Sequence, residues 1–155
     1  MIGKEIFFFY KALFFGLVAI IFIPKELYKK YFIYGLLFGG LGDYIMTITF
    51  GKIFHLIEYK NMGIFNIANL ASFWTPIAWM NVFSFFLYLL PNRKAFLIPY
   101  ILTFALFGLT VGLTLENIGL FQYHGVFVYF APVVFMFWFS LTAWIFIRIE
   151  KVILL

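Results

Sequence analysis

The chain alternates between long apolar runs and short polar connections. Five runs of 18 to 24 residues carry almost no charge, and they cover residues 6–23, 31–50, 67–90, 95–115 and 126–147. With a rise of about 1.5 Å per residue, each run can cross a hydrocarbon core of roughly 30 Å as a helix. The pattern therefore predicts an all-α fold, a polytopic transmembrane bundle of five spans.

The composition agrees with a membrane protein and excludes two other classes. Of the 155 residues 66% are hydrophobic and only 11% are charged, and the mean hydropathy is +1.07. A soluble domain is about 45–50% apolar and about 25% charged, and a disordered chain is less apolar still. Five spans leave no room for a separate soluble domain, so residues 1–155 are predicted to form a single integral membrane domain.

Cysteine content and net charge narrow the chemistry and the partners. The chain has no cysteine, which excludes disulfides, thiolate metal sites and thiol nucleophiles. Its net charge of +5 comes from short basic clusters between apolar runs, as is typical of residues that flank membrane spans. We therefore predict the lipid bilayer as the surrounding medium and no nucleic-acid partner.

The distribution of Lys and Arg predicts the orientation. One set of alternate connections carries seven basic residues: Lys25, Lys29, Lys30, Arg93, Lys94, Arg148 and Lys151. The opposite set carries four: Lys4, Lys11, Lys52 and Lys60. Because cytoplasmic loops are the more basic, this bias predicts an external N-terminus and a cytoplasmic C-terminus in a multi-pass protein of the cytoplasmic (inner) membrane.

The second span carries a stripe of small and polar residues. Every fourth residue belongs to it: Gly35, Gly39, Asp43, Thr47 and Gly51. Small residues at this spacing allow a neighbouring helix to approach closely, as in GxxxG packing. The carboxylate of Asp43 must then point into the bundle. An intramembrane aspartate costs at least about 2.5–3.5 kcal/mol, so it marks either a functional group or a hydrogen-bonding link between helices.

The fourth span carries a similar stripe, in which Gly108, Gly112 and Glu116 are again four residues apart. The second and fourth spans run parallel in the predicted topology, so we expect their glycine faces to pack together or to flank one neighbour. Glu116 is predicted to lie roughly 13 Å farther outward than Asp43, which is too far for a shared proton. Glu116 is therefore expected to be an acid at a helix end.

The outer connections contain a group of acidic and histidine residues. Its members are His55, Glu58, Glu116 and His124. His55 and Glu58 would share a face if the segment after the second span were a helix lying along the membrane interface. Two histidines with carboxylates suit zinc or another divalent ion. No HExxH or similar motif is present, so we predict no metal site.

Three further candidate residues lie in the third predicted span. Asn69 and Ser72 are spaced as on one face of a helix, and Asn81 follows farther along. Together with Asp43 and Thr47 they are the candidate intramembrane polar residues, because polar groups in spans face the bundle interior or a cavity.

Four segments resemble a group of small uncharacterised polytopic membrane proteins of spore-forming bacteria. These segments are Trp74–Pro76, Phe83–Lys94, Leu115–Glu116 and Tyr123–Gly125, and they cover roughly the C-terminal half of the chain. The resemblance implies the membrane architecture and no particular activity.

We predict a binding or accessory structural role, with self-association or assembly with another membrane subunit. Two alternatives remain open: a proton-coupled small carrier that uses Asp43, and a membrane-embedded enzyme acting on a lipid or isoprenoid. The sequence lacks a DDxxD pair, a GxSxG elbow and a phosphate-binding loop, which disfavours an enzyme, and it points to no particular cofactor.

The three hypotheses predict different surroundings for the acidic residues. A carrier needs a hydrated path to Asp43 from at least one side. An enzyme needs a lateral opening to lipid near an acidic pair. An accessory protein needs only a dry, fully packed Asp43.

Overall fold

A computed structural model describes residues 3–155 of the chain. Five helices follow one another in that range: α1 Ile6–Phe22, α2 Lys25–Ile53, α3 Trp74–Tyr88, α4 Lys94–Asn117 and α5 Phe127–Glu150. Helices α2, α4 and α5 are long and apolar enough to cross a membrane. The fold is thus mostly helical, as predicted, and each of the five predicted spans overlaps one helix.

Helix α3 lies at the centre of the bundle and contacts both α1 and α2. On its other side Phe83 and Phe86 pack against Phe139 of α5, with ring centroids 4.6 and 4.8 Å apart. The hydroxyl of Tyr100 in α4 donates a hydrogen bond to the carbonyl of Phe86 at 2.7 Å. A helix surrounded in this way needs no charged face, which explains why α3 contains no charged residue.

The polar connections gather at two opposite ends of the bundle. At one end Lys30 forms an ion pair with Glu150, and the Tyr34 hydroxyl donates to the same carboxylate at 2.7 Å. The N–H of Leu155 donates to the carbonyl of Asn92 at 2.8 Å, which brings the α3–α4 connection beside the end of the chain. This end carries the connections with the seven basic residues, and we call it the basic end.

Helix α2 is not a regular α-helix. Leu36–Leu41 and Thr47–Ile53 are π-helical, and Gly42–Met46 between them is α-helical. A four-residue repeat drifts around a regular helix because a turn takes about 3.6 residues, and the wider π turns offset that drift. The predicted stripe is consequently buried along one face at four positions: Gly35, Gly39, Asp43 and Thr47.

A two-stranded ribbon closes the other end, which we call the ribbon end. Strand β1 (Ile57–Tyr59) follows α2 and pairs antiparallel with β4 (Phe121–Tyr123), which precedes α5. Side chains alternate between the two faces of a strand. One face therefore carries Ile57, Tyr59, Phe121 and Tyr123. The opposite face carries Glu58 and Gln122.

The third predicted span is wrong over its first seven residues. Helix α3 begins at Trp74, and the preceding segment forms a hairpin of β2 (Asn66–Ile67) and β3 (Ala71–Ser72). The side chain of Asn66 accepts a hydrogen bond from the backbone N–H of Asn69 at 2.9 Å. It also donates a hydrogen bond to the side chain of Asn69 at 2.7 Å. Such local bonds offer the backbone an alternative to the helix. Asn69 and Ser72 therefore lie in the hairpin and not on a helix face.

The two glycine stripes have different neighbours, contrary to the prediction that they pack together or flank one helix. A methyl group on Gly39 would overlap the backbone of Trp79 in α3, and one on Gly35 would overlap Ser84 and the carbonyl of Met80. In α4, Gly108 faces Phe135 of α5 instead, and Gly112 faces the ring of Tyr123. Close approach at glycine occurs as predicted, but between different pairs of elements.

Candidate functional site

A cavity of about 70 Å³ lies between the stripe of α2 and the stripe of α4. Asp43 and Thr47 line it from α2, Lys11 lines it from α1, and Gly108 and Gly112 line it from α4. A buried water needs roughly 10–15 Å³ of such space, so the cavity has room for several. We call it the inner cavity.

The inner cavity contains two charged side chains that lack direct partners. Asp43 is 4% exposed, and neither its Oδ2 nor the Nζ of Lys11 has a hydrogen-bond partner among residues 3–155. The two groups also form no direct ion pair with each other, as no such pair between them occurs in the described chain. Burying an isolated charge is costly unless another polar group or water compensates it. The arrangement therefore places an acid and a base around one small cavity, where both could interact with a small polar molecule.

One face of the ribbon, which we call its inner face, borders the inner cavity. All four side chains of this face line the cavity: Ile57, Tyr59, Phe121 and Tyr123. Burial raises the pKa of Tyr59 well above its usual range, and the charge of Asp43 adds to the rise. Burial likewise raises the pKa of Tyr123, with a further contribution from Glu116. Both phenols therefore stay protonated at neutral pH and can act as hydrogen-bond donors.

A second, wider space of about 450 Å³ lies beside strand β1, between the end of α2 and the hairpin, and we call it the outer crevice. Its lining includes Gly51, Lys52, His55, Glu58, Asn69 and His124. The Nε2 of His124 lies 3.3 Å from the carboxylate of Glu58. This is the size range of small-molecule pockets, roughly 300–1,000 Å³.

The rim of the outer crevice contains strained backbone. His55 and Ala68 have φ angles of +53° and +52°, a left-handed conformation that residues other than glycine and asparagine rarely adopt. Both residues line the crevice. Such strain costs about 1–3 kcal/mol per residue and clusters at functional sites. The geometry of the rim is thus held by the surrounding structure and not by local preference.

Three residues line both spaces: Thr47, Ile57 and Tyr59. They form the wall between the outer crevice and the inner cavity. The Thr47 hydroxyl and the Trp79 indole are the polar neighbours of the Tyr59 hydroxyl. A path from the ribbon end to Asp43 is therefore blocked by one layer of side chains, of which two carry hydroxyl groups.

The predicted outer group is only partly assembled. His124 and Glu58 meet, and His55 lines the same crevice, but Glu116 is turned away and accepts a hydrogen bond from the N–H of Tyr123 at 3.0 Å. Within residues 3–155 no three His, Asp or Glu side chains are grouped as metal ligands. The predicted interfacial helix is wrong, because His55 has a left-handed backbone and Glu58 belongs to β1.

The other predicted polar residues have different positions. Thr47 lies beside Asp43 in the inner cavity, and Asn69 lines the outer crevice. Ser72 is fully buried at the base of the hairpin. Asn81 is buried in α3, where its side-chain amide donates to the carbonyl of Ile77 at 2.9 Å, and it lines an apolar groove between α1, α3 and α4. Asn81 is therefore separate from the charged site.

Two residues of the site did not follow from the sequence pattern. Lys11 counted only toward the charge balance, although a basic residue inside an apolar run is itself a sign of a functional site. Tyr59 stands in the connection after the second predicted span, where hydropathy does not single it out. The alternation Ile57-Glu58-Tyr59, matched by Phe121-Gln122-Tyr123, is the signal that could have placed it on the inner face of a strand pair.

Comparison with known proteins gives no match for this chain, whether to family models, to curated proteins or to solved structures. The assignment of a function therefore depends on the geometry of the site.

Proposed function

We propose that the protein is a proton-coupled carrier of a small solute, in which Asp43 exchanges the coupled proton and Lys11 is its counter-charge. One observation carries this proposal: a buried acid and a buried base, both without direct partners among the described residues, share a small cavity that adjoins a wider crevice. When Asp43 takes up a proton, the charge of Lys11 loses its counter-charge. Protonation of Asp43 therefore changes how the cavity interacts with a solute, and the two events are coupled.

The surroundings of Asp43 favour a carrier over the accessory role. An aspartate that only joined helices would be hydrogen-bonded and tightly packed, whereas Asp43 Oδ2 has no partner among the described residues and lines a cavity. The outer crevice approaches that cavity from the ribbon end through Thr47 and Tyr59. Association with a second copy or another membrane subunit stays a prediction.

An enzyme acting on lipid is less well supported. Its lateral opening should lie near an acidic pair. The apolar groove between α1, α3 and α4 has Asn81 and Thr103 as its polar lining residues, and neither Asp43 nor Glu116 lines it. Glu116 is occupied by the backbone of Tyr123.

In our proposal the chain crosses the cytoplasmic membrane five times, with its N-terminus outside. Helix α3 is about 22 Å long, and the hairpin Asn66–Ser72 completes its crossing at the ribbon end. Non-helical backbone is tolerated at that depth where it is buried in protein or lines a cavity, and Ala71 and Ser72 are buried. The outer crevice then faces the outside and the basic end faces the cytoplasm.

The orientation can be tested by cysteine labelling, because the chain has no cysteine of its own. Asn61→Cys lies at the ribbon end and Asn92→Cys at the basic end, and both positions are exposed. An impermeant maleimide added to intact cells should label Asn61→Cys only. Labelling of Asn92→Cys under the same conditions would reverse the proposed orientation.

The carrier function can be tested in proteoliposomes that contain a pH-sensitive dye. Inward gradients of four solutes are applied in turn: pyruvate as an anion, glycine as a zwitterion, choline as a cation and glycerol as a neutral solute. At least one gradient should change the internal pH in vesicles with the wild-type protein, beyond the change in protein-free vesicles. Asp43→Asn should abolish this change, because an amide cannot exchange the proton.

Thr49→Val serves as the matched control. Thr49 lies in α2, and its hydroxyl bonds to the carbonyl of Ile45 and not to the site, so this variant should behave like the wild type. Identical internal pH traces for wild type and Asp43→Asn with all four solutes would refute the carrier proposal.

A further inference from the structure

We infer that the solute is a small carboxylate anion, carried together with one proton, and that Lys11 is the group that binds it. This inference rests on the proposed carrier function and names its substrate class. The argument starts from the hydrogen-bonding groups of the inner cavity. The donors that line it are the Lys11 ammonium, the hydroxyls of Thr47, Tyr59 and Tyr123 and the indoles of Trp79 and Trp138, and its only charged acceptor among the described residues is Asp43.

A donor-rich cavity with one acid suits an anion only when that acid is protonated. The carboxylate of Asp43 repels a second carboxylate, whereas protonated Asp43 is neutral and adds one more donor. The other titratable groups facing Asp43 are Lys11 from α1, Tyr59 from β1 and Tyr123 from β4. Both tyrosines are neutral at physiological pH, so Lys11 and Asp43 set the charge of the cavity.

Charge balance in the membrane explains why a proton and an anion would move together. The empty site holds ionised Lys11 and ionised Asp43 and is neutral. The loaded site holds ionised Lys11, protonated Asp43 and the bound anion, and it is neutral as well. Each half-loaded state carries one net charge, which is costly in the bilayer. Only the empty and fully loaded forms therefore change conformation readily, and the overall process is electroneutral.

The outer crevice has the charge that would attract an anion. Its basic groups are Lys52, His55 and His124, and its single acid is Glu58. That acid is already engaged by His124 at 3.3 Å and by Lys60 at 4.0 Å. Lys52 forms no ion pair among the described residues, so Lys52, Lys60 and Glu58 together leave one net positive charge at the crevice, which attracts anions.

The first test uses the proteoliposomes described above. An inward pyruvate gradient should acidify the interior, whereas glycine, choline and glycerol should have no effect. The rate with pyruvate should not change when valinomycin and potassium set the membrane potential, because the transported unit is uncharged. A response to glycine or choline that requires Asp43 would overturn the substrate class and leave the carrier function standing. The absence of any Asp43-dependent response would overturn both.

The second test measures binding in detergent through the fluorescence of Trp79 and Trp138, which both line the inner cavity. Pyruvate affinity in the wild type should rise as pH falls, by up to about tenfold per pH unit, because binding takes up one proton. A pH dependence of the affinity that survives in Asp43→Asn belongs to other groups, and the remainder belongs to Asp43.

The role of Lys11 is tested against a background that is already neutral at position 43. Asp43→Asn is compared with the double variant Lys11→Met/Asp43→Asn, which removes both charges and leaves no unpaired one. The double variant should bind pyruvate about tenfold to a hundredfold more weakly, as expected for loss of a charged hydrogen bond. Equal affinities would refute the role of Lys11. The wild-type pH dependence tests the proton linkage even if a variant is unstable, and a wild-type affinity that is constant with pH would contradict it.

Discussion

Towards the basic end, three phenylalanines fill the space between α3 and α5, whereas towards the ribbon end the same two helices border a cavity. Phe83 and Phe139 stack at 4.6 Å with their planes 8° apart, and Phe83, Phe86 and Phe139 are fully buried. Trp79, one turn before Phe83, and Trp138, next to Phe139, already line the inner cavity. The change from a filled interior to a hollow one thus takes place within about one helical turn.

The difference separates the source of stability from the site of chemistry. Lipid provides no hydrophobic driving force between helices, so their association depends on close packing and hydrogen bonds. The half at the basic end supplies the close packing. The half at the ribbon end contains the π-helical segment Thr47–Ile53, the left-handed residues His55 and Ala68 and the unpartnered charges, which are features that cost free energy and accompany function. Substitutions in the two halves should therefore have different consequences.

The largest expected effect is the loss of an aromatic ring from the packed half. Phe83→Ala should lower the free energy of unfolding by about 3–5 kcal/mol, because the ring is fully buried and leaves a void. Phe50→Ala removes the same ring from the wall of the inner cavity, where Phe50 is half-buried. It should cost about half as much. Thermal unfolding in detergent measures both, and equal losses would contradict the division into two halves.

The next effect concerns the contact between α2 and α3. Gly39→Ala should destabilise the protein by about 1–3 kcal/mol, because the added methyl group meets the backbone of Trp79, which cannot move aside as a side chain would. Gly16→Ala in α1 is the matched control, since its methyl group would come no closer than 3.5 Å to the side chain of Asn81. Alanine should be tolerated there or increase helix stability slightly. A Gly39→Ala protein as stable as Gly16→Ala would mean that the stripe does not set the spacing of the two helices.

The sequence predicted the helices well and the ribbon end poorly, for a physical reason. Hydrophobic runs report which segments are buried or in lipid, and this was sufficient for α1, α4 and α5. The hairpin at residues 66–72 carries no charge and leads directly into the apolar run of α3, and its turn depends on the local hydrogen bonds between Asn66 and Asn69. A hydropathy pattern does not distinguish that turn from a helix.

The candidate site was predicted in part. Asp43 and Thr47 followed from the four-residue stripe, because small and polar residues at that spacing share a face. The partner on α1 could not follow from periodicity within one span, since it depends on which helices are neighbours. Glu116 shows the reverse case. Its position matches the stripe of α4. Its carboxylate, however, accepts a hydrogen bond from the backbone N–H of Tyr123 in β4, and this contact cannot be read from the stripe.

A smaller effect sharpens the comparison at the charged pair itself. Lys11→Met and Asp43→Asn should each destabilise the protein, because each leaves one buried charge without its counter-charge. The double variant should lose less than the sum of the two singles, with a coupling free energy of about 0.5–3 kcal/mol. Additive losses in the free energy of unfolding would show that Lys11 and Asp43 do not interact. The losses caused by Asp43→Asn and Phe83→Ala should add strictly if the two halves are independent.

The smallest effect tests whether the rim of the outer crevice stores strain. Ala68 is exposed, has a φ of +52° and occupies the first turn position of the hairpin, where the N–H of Leu70 bonds to the carbonyl of Ile67. Ala68→Gly should therefore stabilise the protein by up to about 1 kcal/mol, because glycine adopts this conformation without a steric cost. Thermal unfolding in detergent measures the shift.

Gly125→Ala provides the reverse experiment at the other side of the ribbon end. Gly125 has a φ of +59°, and a methyl group added there would meet nothing within 4 Å, so the substitution changes the backbone preference alone. It should destabilise the protein by about as much as Ala68→Gly stabilises it, roughly 1 kcal/mol. If Gly125→Ala has its expected cost and Ala68→Gly brings no gain, the hairpin relaxes freely. The crevice rim would then not be held in a strained form, and the contrast with the packed half would rest on the cavities and charges alone.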